Sequence, residues 1–412
     1  MRGAQAYPPF RGPRVPVAAA ARAGGPVAGR IRSDASGTWL SDASGEVRLS
    51  AVEPEDAADG DWLSGRLVPD GAAHRLVAAV VHAPRLAESP DPGLLGRLPA
   101  LGRRAEIVLA ARRFFHELGF LDVETPSRVP CPGLEPHLAA FPAGAGQWLI
   151  TSPELHLKRL LAAGAERVVE FARAFRDDER GPWHRPEFLL VEWYRAFAEL
   201  DEIMTDCEGL VRACAAAAGT ARVRGTCDLA APFERTTVRD ALAGATGLDL
   251  AVLQDRDALA RAVARRGHAA AADDRWDDLF FRVWIAEVEQ DLGRTRPVFV
   301  ADYPASQAAL ARTRRESWGE VAERFELYVA GVEIANAFHE LNDPVEQRRR
   351  HEADRAARAA AGAPVYPLDE RFLAALVAGM PPASGIALGL DRLAALLVGA
   401  ESLDAIHPFE FR

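Results

Sequence analysis

Beyond residue 120 the chain offers strand-like runs, RVVEFARAF, FLLVEWYRAF, PVFVADYP and FELYVAGVEIAN, that alternate only irregularly with helical patterns such as 202–217 and 255–266. A regular strand-helix repeat would demand a parallel sheet with crossover helices. Without that repeat, the architecture that buries these runs is an antiparallel sheet flanked by helices, an α+β fold, expected over 93–412. Ahead of it, VAGRIR, GTWLSD, GEVRLSA, DWLSGRLV and HRLVAAVV are short strands separated by turns rich in Gly, Asp and Pro. Five such strands predict a small all-β, barrel-like domain over 27–92. The arginines and prolines of residues 1–26 support neither an apolar signal core nor an amphipathic helix, so a disordered tail is expected there. ESPDPGLLGRLP, around 88–99, reads as a linker, and LGRRAEIVLAARRFFHELG as a helix ended at Gly119. There is no internal repeat.

A chain of 412 residues exceeds one ordinary core, and 49% hydrophobic with 26% charged residues is the composition of a soluble globular protein. No apolar run is long enough to span a bilayer. A net charge of -10 argues against broad, nonspecific binding to nucleic acid. The barrel resembles an oligonucleotide-binding type, but two tryptophans and scattered arginines are fewer than a nucleic-acid platform needs, so a structural or docking module is expected. Cys131, Cys207, Cys214 and Cys227 form no CxxC pair and have no histidine at zinc spacing, which points to a reducing cytoplasm. Of 49 basic residues 48 are arginine, and Lys158 is the only lysine. Either coding bias left one survivor, or site 158 needs a compact ammonium where a planar guanidinium does not fit.

Four segments carry chemistry. Across 168–197 two strands flank the loop DDERGPWHRPE; Ala172, Ala174 and Arg176 share a face along the first and Glu192 and Tyr194 share one along the second, giving a sheet face with Arg, Glu and Tyr beside small residues. Such a face is either a pocket floor or a solvated surface of ion pairs. In ASGIALGLDRLAALLVG a glycine-spaced strand runs into a helix with Arg392 in its first turn, opposed by the helix dipole; a phosphate chain or a partner carboxylate would account for it. In TSPELHLKRLL, Ser152 suits an N-cap, Pro153 the first helical position and Glu154 the first turn, so capping alone explains Glu154. In GVEIANAFHEL, Glu333, Asn336 and Glu340 recur among small and apolar neighbours, and buried carboxylates need metal ions or cations as partners.

In this order FLDVETP (120–126), TSPELHLKRL (151–160), FRDDE with HRPEF and EWY (175–194), GVEIANAFHEL (331–341) and GIALGLDR (385–392) resemble the class II lysyl-tRNA synthetases over roughly 97–412. They contain the three class II signature motifs, with Pro126, Arg176 and Arg392 in the first, second and third. DYPASQAALAR, the histidine of NAFHEL, and Ala387 before Gly389 look most like the lysine ligases that modify elongation factor P. Those resemble a synthetase core without its anticodon-binding domain.

The resemblance implies a homodimer built around the Pro126 segment and an ATP-dependent ligase that activates lysine or β-lysine as an aminoacyl-adenylate, for transfer to a lysine side chain of an acceptor protein. Arg176 would bind the α-phosphate and Arg392 the γ-phosphate. Asp177, Asp178, His184 and Arg185 would belong to the ATP loop, Phe188 would stack on adenine, and Glu333 with Ile334 would lie at the ATP and Mg2+ site, Glu340 also serving the metal. Gly389 would admit the nucleotide to the backbone. Ser152, Pro153, Glu154, Tyr194, Asn336, Glu340 and Ala387 would line the amino-acid pocket. Two departures stand out: the family usually has asparagine at 185, and the elongation-factor ligases lack an N-terminal barrel. The alternatives are a tRNA-charging synthetase and a noncatalytic paralogue that binds lysine or nucleotide.

Overall fold

The computed structural model describes residues 14–42, 44–53, 57–83 and 93–409. The chain divides into two compact units near Glu106, with the residues from Asp404 onward grouped with the first.

In the first unit Gly25–Asp34, Gly37–Asp42, Gly45–Val52, Trp62–Asp70 and Ala73–Ala83 form a closed barrel in the order first, second, third, fifth, fourth. Alternation puts Val27, Ile31, Leu40, Val47, Leu49, Leu63, Leu67 and Leu76 inside. A helix, Val17–Ala23, adds Val17 and Ala20 to that core, and its first amide donates to Asp42 Oδ2 at 3.0 Å. The expected disordered tail is thereby corrected: residues 1–13 lie outside the described residues, while 14–26 hold this helix and the start of the first strand. The stretch read as a linker is corrected in part. Residues 84–92 lie outside the described residues, and the helix begins at Leu94, running to Glu117 with Pro99 inside it.

The second unit is built on a nine-stranded sheet. Its order is Glu234–Thr237, Val298–Pro304, Gly319–Val329, Val332–His339, Ala383–Gly389, Glu187–Ala196, Arg167–Phe175 and Leu121–Asp122, with Thr313–Glu316 pairing separately with Gly319–Val329. Only the two outermost pairs are parallel; the pairs between them are antiparallel, as the irregular alternation of strands and helices required. FELYVAGVEIAN, read as one run, is a hairpin turning at Ala330 and Gly331 with φ 53° and 77°, the positive values of a type I′ turn.

Register fixes the two faces. Val191, Trp193, Ile386 and Leu388 point one way into the core, where the helices Leu200–Ala218 and Leu390–Val398 pack. Phe188, Glu192, Tyr194, Gly385, Ala387, Asn336 and Glu326 share the other face. Glu333 joins that face through a bulge, because Leu327 pairs with Ala335 but Tyr328 with Glu333, leaving Ile334 as the extra residue.

Candidate active site

At one end of this face the helix Glu154–Ala162 closes over the sheet. Pro153 occupies its cap position, one residue later than expected, and Ser152 Oγ still accepts from the Glu154 amide at 3.0 Å. Ser152 Oγ in turn donates to Glu192 Oε2 at 2.7 Å, and the Tyr194 hydroxyl donates to Glu192 Oε1 at 2.6 Å. One turn along the helix Lys158, fully buried, reaches Glu154 Oε1 at 2.5 Å and Glu340 Oε2 at 2.6 Å. Glu154 therefore does more than favour the helix start: three carboxylates and one ammonium are enclosed together.

Their electrostatics follow from burial. It pushes Glu192 up to about 8, with Glu154 adding to the rise while Tyr194, Ser152 and Lys158 oppose it. Burial also pushes Glu340 up to about 8 against the pull of Lys158, and raises Glu154. For Lys158 burial works toward neutrality, but Glu154 and Glu340 outweigh it and the ammonium is held more firmly than usual. Asn336 Oδ1 and Glu340 Oε1 are buried acceptors without a hydrogen-bond partner, as a site for a ligand with N–H donors requires. Between Tyr194 and Glu340 lies Gly385, where an added Cβ would sit 2.2 Å from Tyr194 Cε1 and 2.7 Å from Glu340 Oε1. Ala387 follows on the same strand, flanked in register by Glu192 and Asn336.

The other end of the face is cationic. Arg176 lies 5.2 Å from the Phe188 ring and pairs with Glu179 at 3.1 Å. Asp177 and Asp178 form the turn beyond, Asp178 exposed. Arg392, in the first turn of Leu390–Val398 with Gly389 as its cap, donates from Nε to the Trp183 carbonyl and from its terminal nitrogen to the Glu333 carbonyl, each at 3.0 Å. Burial, then the charge of Arg392, lowers His184, and Arg185 beside it is buried. Burial also pushes Glu333 up to about 7, the neighbouring Glu326 adding to the rise and Arg392 opposing it. Glu326 is fixed by Arg324 Nη2 at 2.5 Å and by the hydroxyls of Tyr328 and Tyr303.

The residues from 99 to 411 match the tRNA synthetases of class II (D, K and N). The chain belongs to that family. Among curated relatives, the elongation factor P–(R)-β-lysine ligase of Edwardsiella ictaluri (strain 93-146) is 40% identical over 319 residues, 74% of this chain and 93% of that protein. The ligase of the same name from Salmonella gallinarum (strain 287/91 / NCTC 13346) is 39% identical over 324 residues, covering 76% and 95%. That from Hamiltonella defensa subsp. Acyrthosiphon pisum (strain 5AT) is 38% identical over 318 residues, covering 74% and 93%.

On this class II synthetase sheet the expected residues separate into two groups. Ser152, Glu154, Tyr194, Asn336, Glu340 and Ala387 gather at the acidic end; Arg176, Phe188, His184, Glu333 and Arg392 gather at the cationic end. A shared metal site for Glu333 and Glu340 is corrected: seven residues of extended chain separate their backbones by roughly 23 Å, and Glu340 is held by Lys158 instead. Two residues were not assigned from sequence. Glu192 was placed on the right face but given no role, although it stands beside Tyr194 and across from Ala387. Glu326 had no signal until the hairpin brought it next to Glu333. Those two carboxylates fit Mg2+, which takes one or two carboxylates with phosphate oxygens and water. Among the described residues no group of three or more potential metal ligands occurs, so a closed all-protein cage is not offered.

Proposed function

We propose that this chain is an ATP-dependent ligase that activates lysine or β-lysine and passes the acyl group to a lysine side chain of elongation factor P, the protein in its relatives' name. The observation that carries the reading is the buried set Glu154, Glu192 and Glu340 around one internal ammonium, with Arg176 and Arg392 at the other end of the same sheet. Three buried carboxylates around one ammonium suit an amino acid with two ammonium groups. The substrate carboxylate attacks the α-phosphate of ATP and pyrophosphate leaves. The acceptor's neutral amine then attacks the acyl carbonyl, and AMP leaves. Arg176 is aimed to stabilise charge developing on the α-phosphate, and Arg392 to hold the far end of the triphosphate. Mg2+, held by Glu326 and Glu333, would neutralise phosphate charge.

The protein works as a homodimer through the Pro126 segment and in the cytoplasm, where the four buried, unpaired cysteines stay reduced. No helix among the described residues is long and apolar enough to cross a membrane. A second reading, tRNA charging, is favoured by the strand order of the closed barrel, which is that of oligonucleotide-binding folds. Residues 25–83 carry five arginines against nine acids, and phosphate contacts need the opposite balance. Incubation with ATP, labelled lysine or β-lysine, and either elongation factor P or total tRNA separates the two. Label on the protein is expected; label on tRNA alone overturns the proposal.

A further inference from the structure

Position 158 is the one place where this chain retains a lysine, and the structure shows what that ammonium does. It is fully buried and bridges Glu154 and Glu340, from a helix and from the end of a central strand. It also acts on Glu192, the third carboxylate, which Ser152 and Tyr194 hold in place. The other titratable groups facing the set are Tyr194 and Glu170 from the sheet, the latter paired in register with Glu192, Glu135 from the half-exposed loop ahead of the helix, and His351 from Pro344–Ala360, which burial and Lys158 push down to about 4 and so keep neutral. Three carboxylates against one ammonium leave two negative charges in excess when all are ionised.

We infer that Lys158 is a specificity-determining positioning residue, holding Glu154 and Glu340 apart, favouring their ionised forms against burial, and setting the pocket's net charge to the complement of a diammonium amino acid. The inference rests on reading this pocket as the lysine site. A compact ammonium with three donors bridges two carboxylates from one point, which a planar guanidinium does not. Were the ammonium absent, two neighbouring buried carboxylates would relax by sharing a proton, and the pocket would present one fewer charged acceptor. An amino acid of the same length with a single ammonium, norleucine, leaves one buried carboxylate unmatched and is rejected.

The test is lysine-dependent pyrophosphate exchange by the full chain and by Lys158→Met, whose stem is retained and whose charge is lost. In the folded variant, KM for lysine is expected to rise about tenfold or more near pH 7, its pH dependence between about pH 6 and 9 to move to higher pH than in the unaltered chain, and KM for ATP to stay unchanged. A role confined to stability would instead lower the melting temperature with a deficit independent of pH. Lys158→Gln, which keeps a donor for Glu154 while removing the charge, carries the same expectation should Lys158→Met not fold. An unaltered KM for lysine across that pH range in either folded variant overturns the inference. Lack of lysine-dependent exchange in the unaltered chain overturns the reading of the site, and the inference with it.

Discussion

Gly385→Ala adds one methyl group in the middle of the proposed amino-acid pocket. Gly385 is not a conformational necessity, since its φ lies outside the left-handed region; it is a spatial one. The new Cβ would meet Tyr194 Cε1 and Cδ1 at 2.2 and 2.3 Å and Glu340 Oε1 at 2.7 Å, where ordinary contact begins at 3.4 Å. The tyrosine ring must therefore move by about 1 Å, the difference between contact and overlap. It is not free to do so, because its hydroxyl is bonded to Glu192 at 2.6 Å and the ring is buried. Movement strains that bond and shifts Glu340 away from Lys158. Overpacking of this kind costs about 1–3 kcal/mol of stability. A displacement of about 1 Å in groups that orient a reactant costs roughly a hundredfold in rate. In pyrophosphate exchange, kcat/KM for lysine should fall by that order while KM for ATP holds, since the arginine end of the sheet is untouched. A folded Gly385→Ala protein within about threefold of the original would refute the argument that Tyr194 and Glu340 flank the substrate.

Arg392→Lys should lower exchange by about tenfold or more, because a point charge does not reproduce the two-pronged hold on the Trp183 and Glu333 carbonyls; near-normal exchange would remove Arg392 from the triphosphate site. Raised carboxylates bind a dication only when ionised, so kcat/KM for lysine should climb by about tenfold per pH unit for each carboxylate that must ionise, up to about 8, where burial has pushed Glu192 and Glu340. Both lysine amines remain charged through that range, so a flat profile between about pH 6 and 8 would contradict the enclosed-carboxylate picture. Ala387→Gly, between Glu192 and Asn336, should raise kcat/KM for α-lysine relative to β-lysine by roughly tenfold, and an unchanged ratio would mean that the methyl does not set the isomer.

Much of this was legible because strand periodicity and motif order are local properties. Arg167–Phe175, the strand before Arg392 and the five barrel strands stand where alternation puts them. The hairpin at Ala330 was not legible, because alanine is not a residue that announces φ 53°, and the run reads as continuous strand without it. That turn also hid Glu326: on one continuous strand it and Glu333 would be far apart, and only reversal places Glu326 opposite Asn336. The bulge at Ile334 hid the rest, since odd spacing puts Glu333 and Asn336 on opposite faces of a regular strand. Lys158 could be singled out by composition, but its partners come from different elements and no local pattern names them. The helix Val17–Ala23 was missed because a run of alanines among prolines carries no amphipathic signature; its burial comes from the barrel end it meets.

The strand Ala383–Gly389 connects the two ends of the site. Its site-facing residues are Gly385, Ala387 and Gly389, the smallest side chains available, so the cleft runs directly over the backbone. At Gly385 the room is taken by Tyr194 and Glu340, and at Gly389 the chain turns into the helix that carries Arg392. Four residues of strand span roughly 13 Å, the separation between the acidic end and the arginine end, proposed here for ammonium and phosphate recognition. A substrate anchored by its amines at the first point can place its carboxylate toward the second only if nothing projects between them. Ala387 is the one methyl on that path, flanked by Glu192 and Asn336. On the proposed reading the strand fixes how far apart the two anchoring ends of the site lie, the carboxylates select what enters, and the single methyl is where a change in the position of the substrate's amine would be felt.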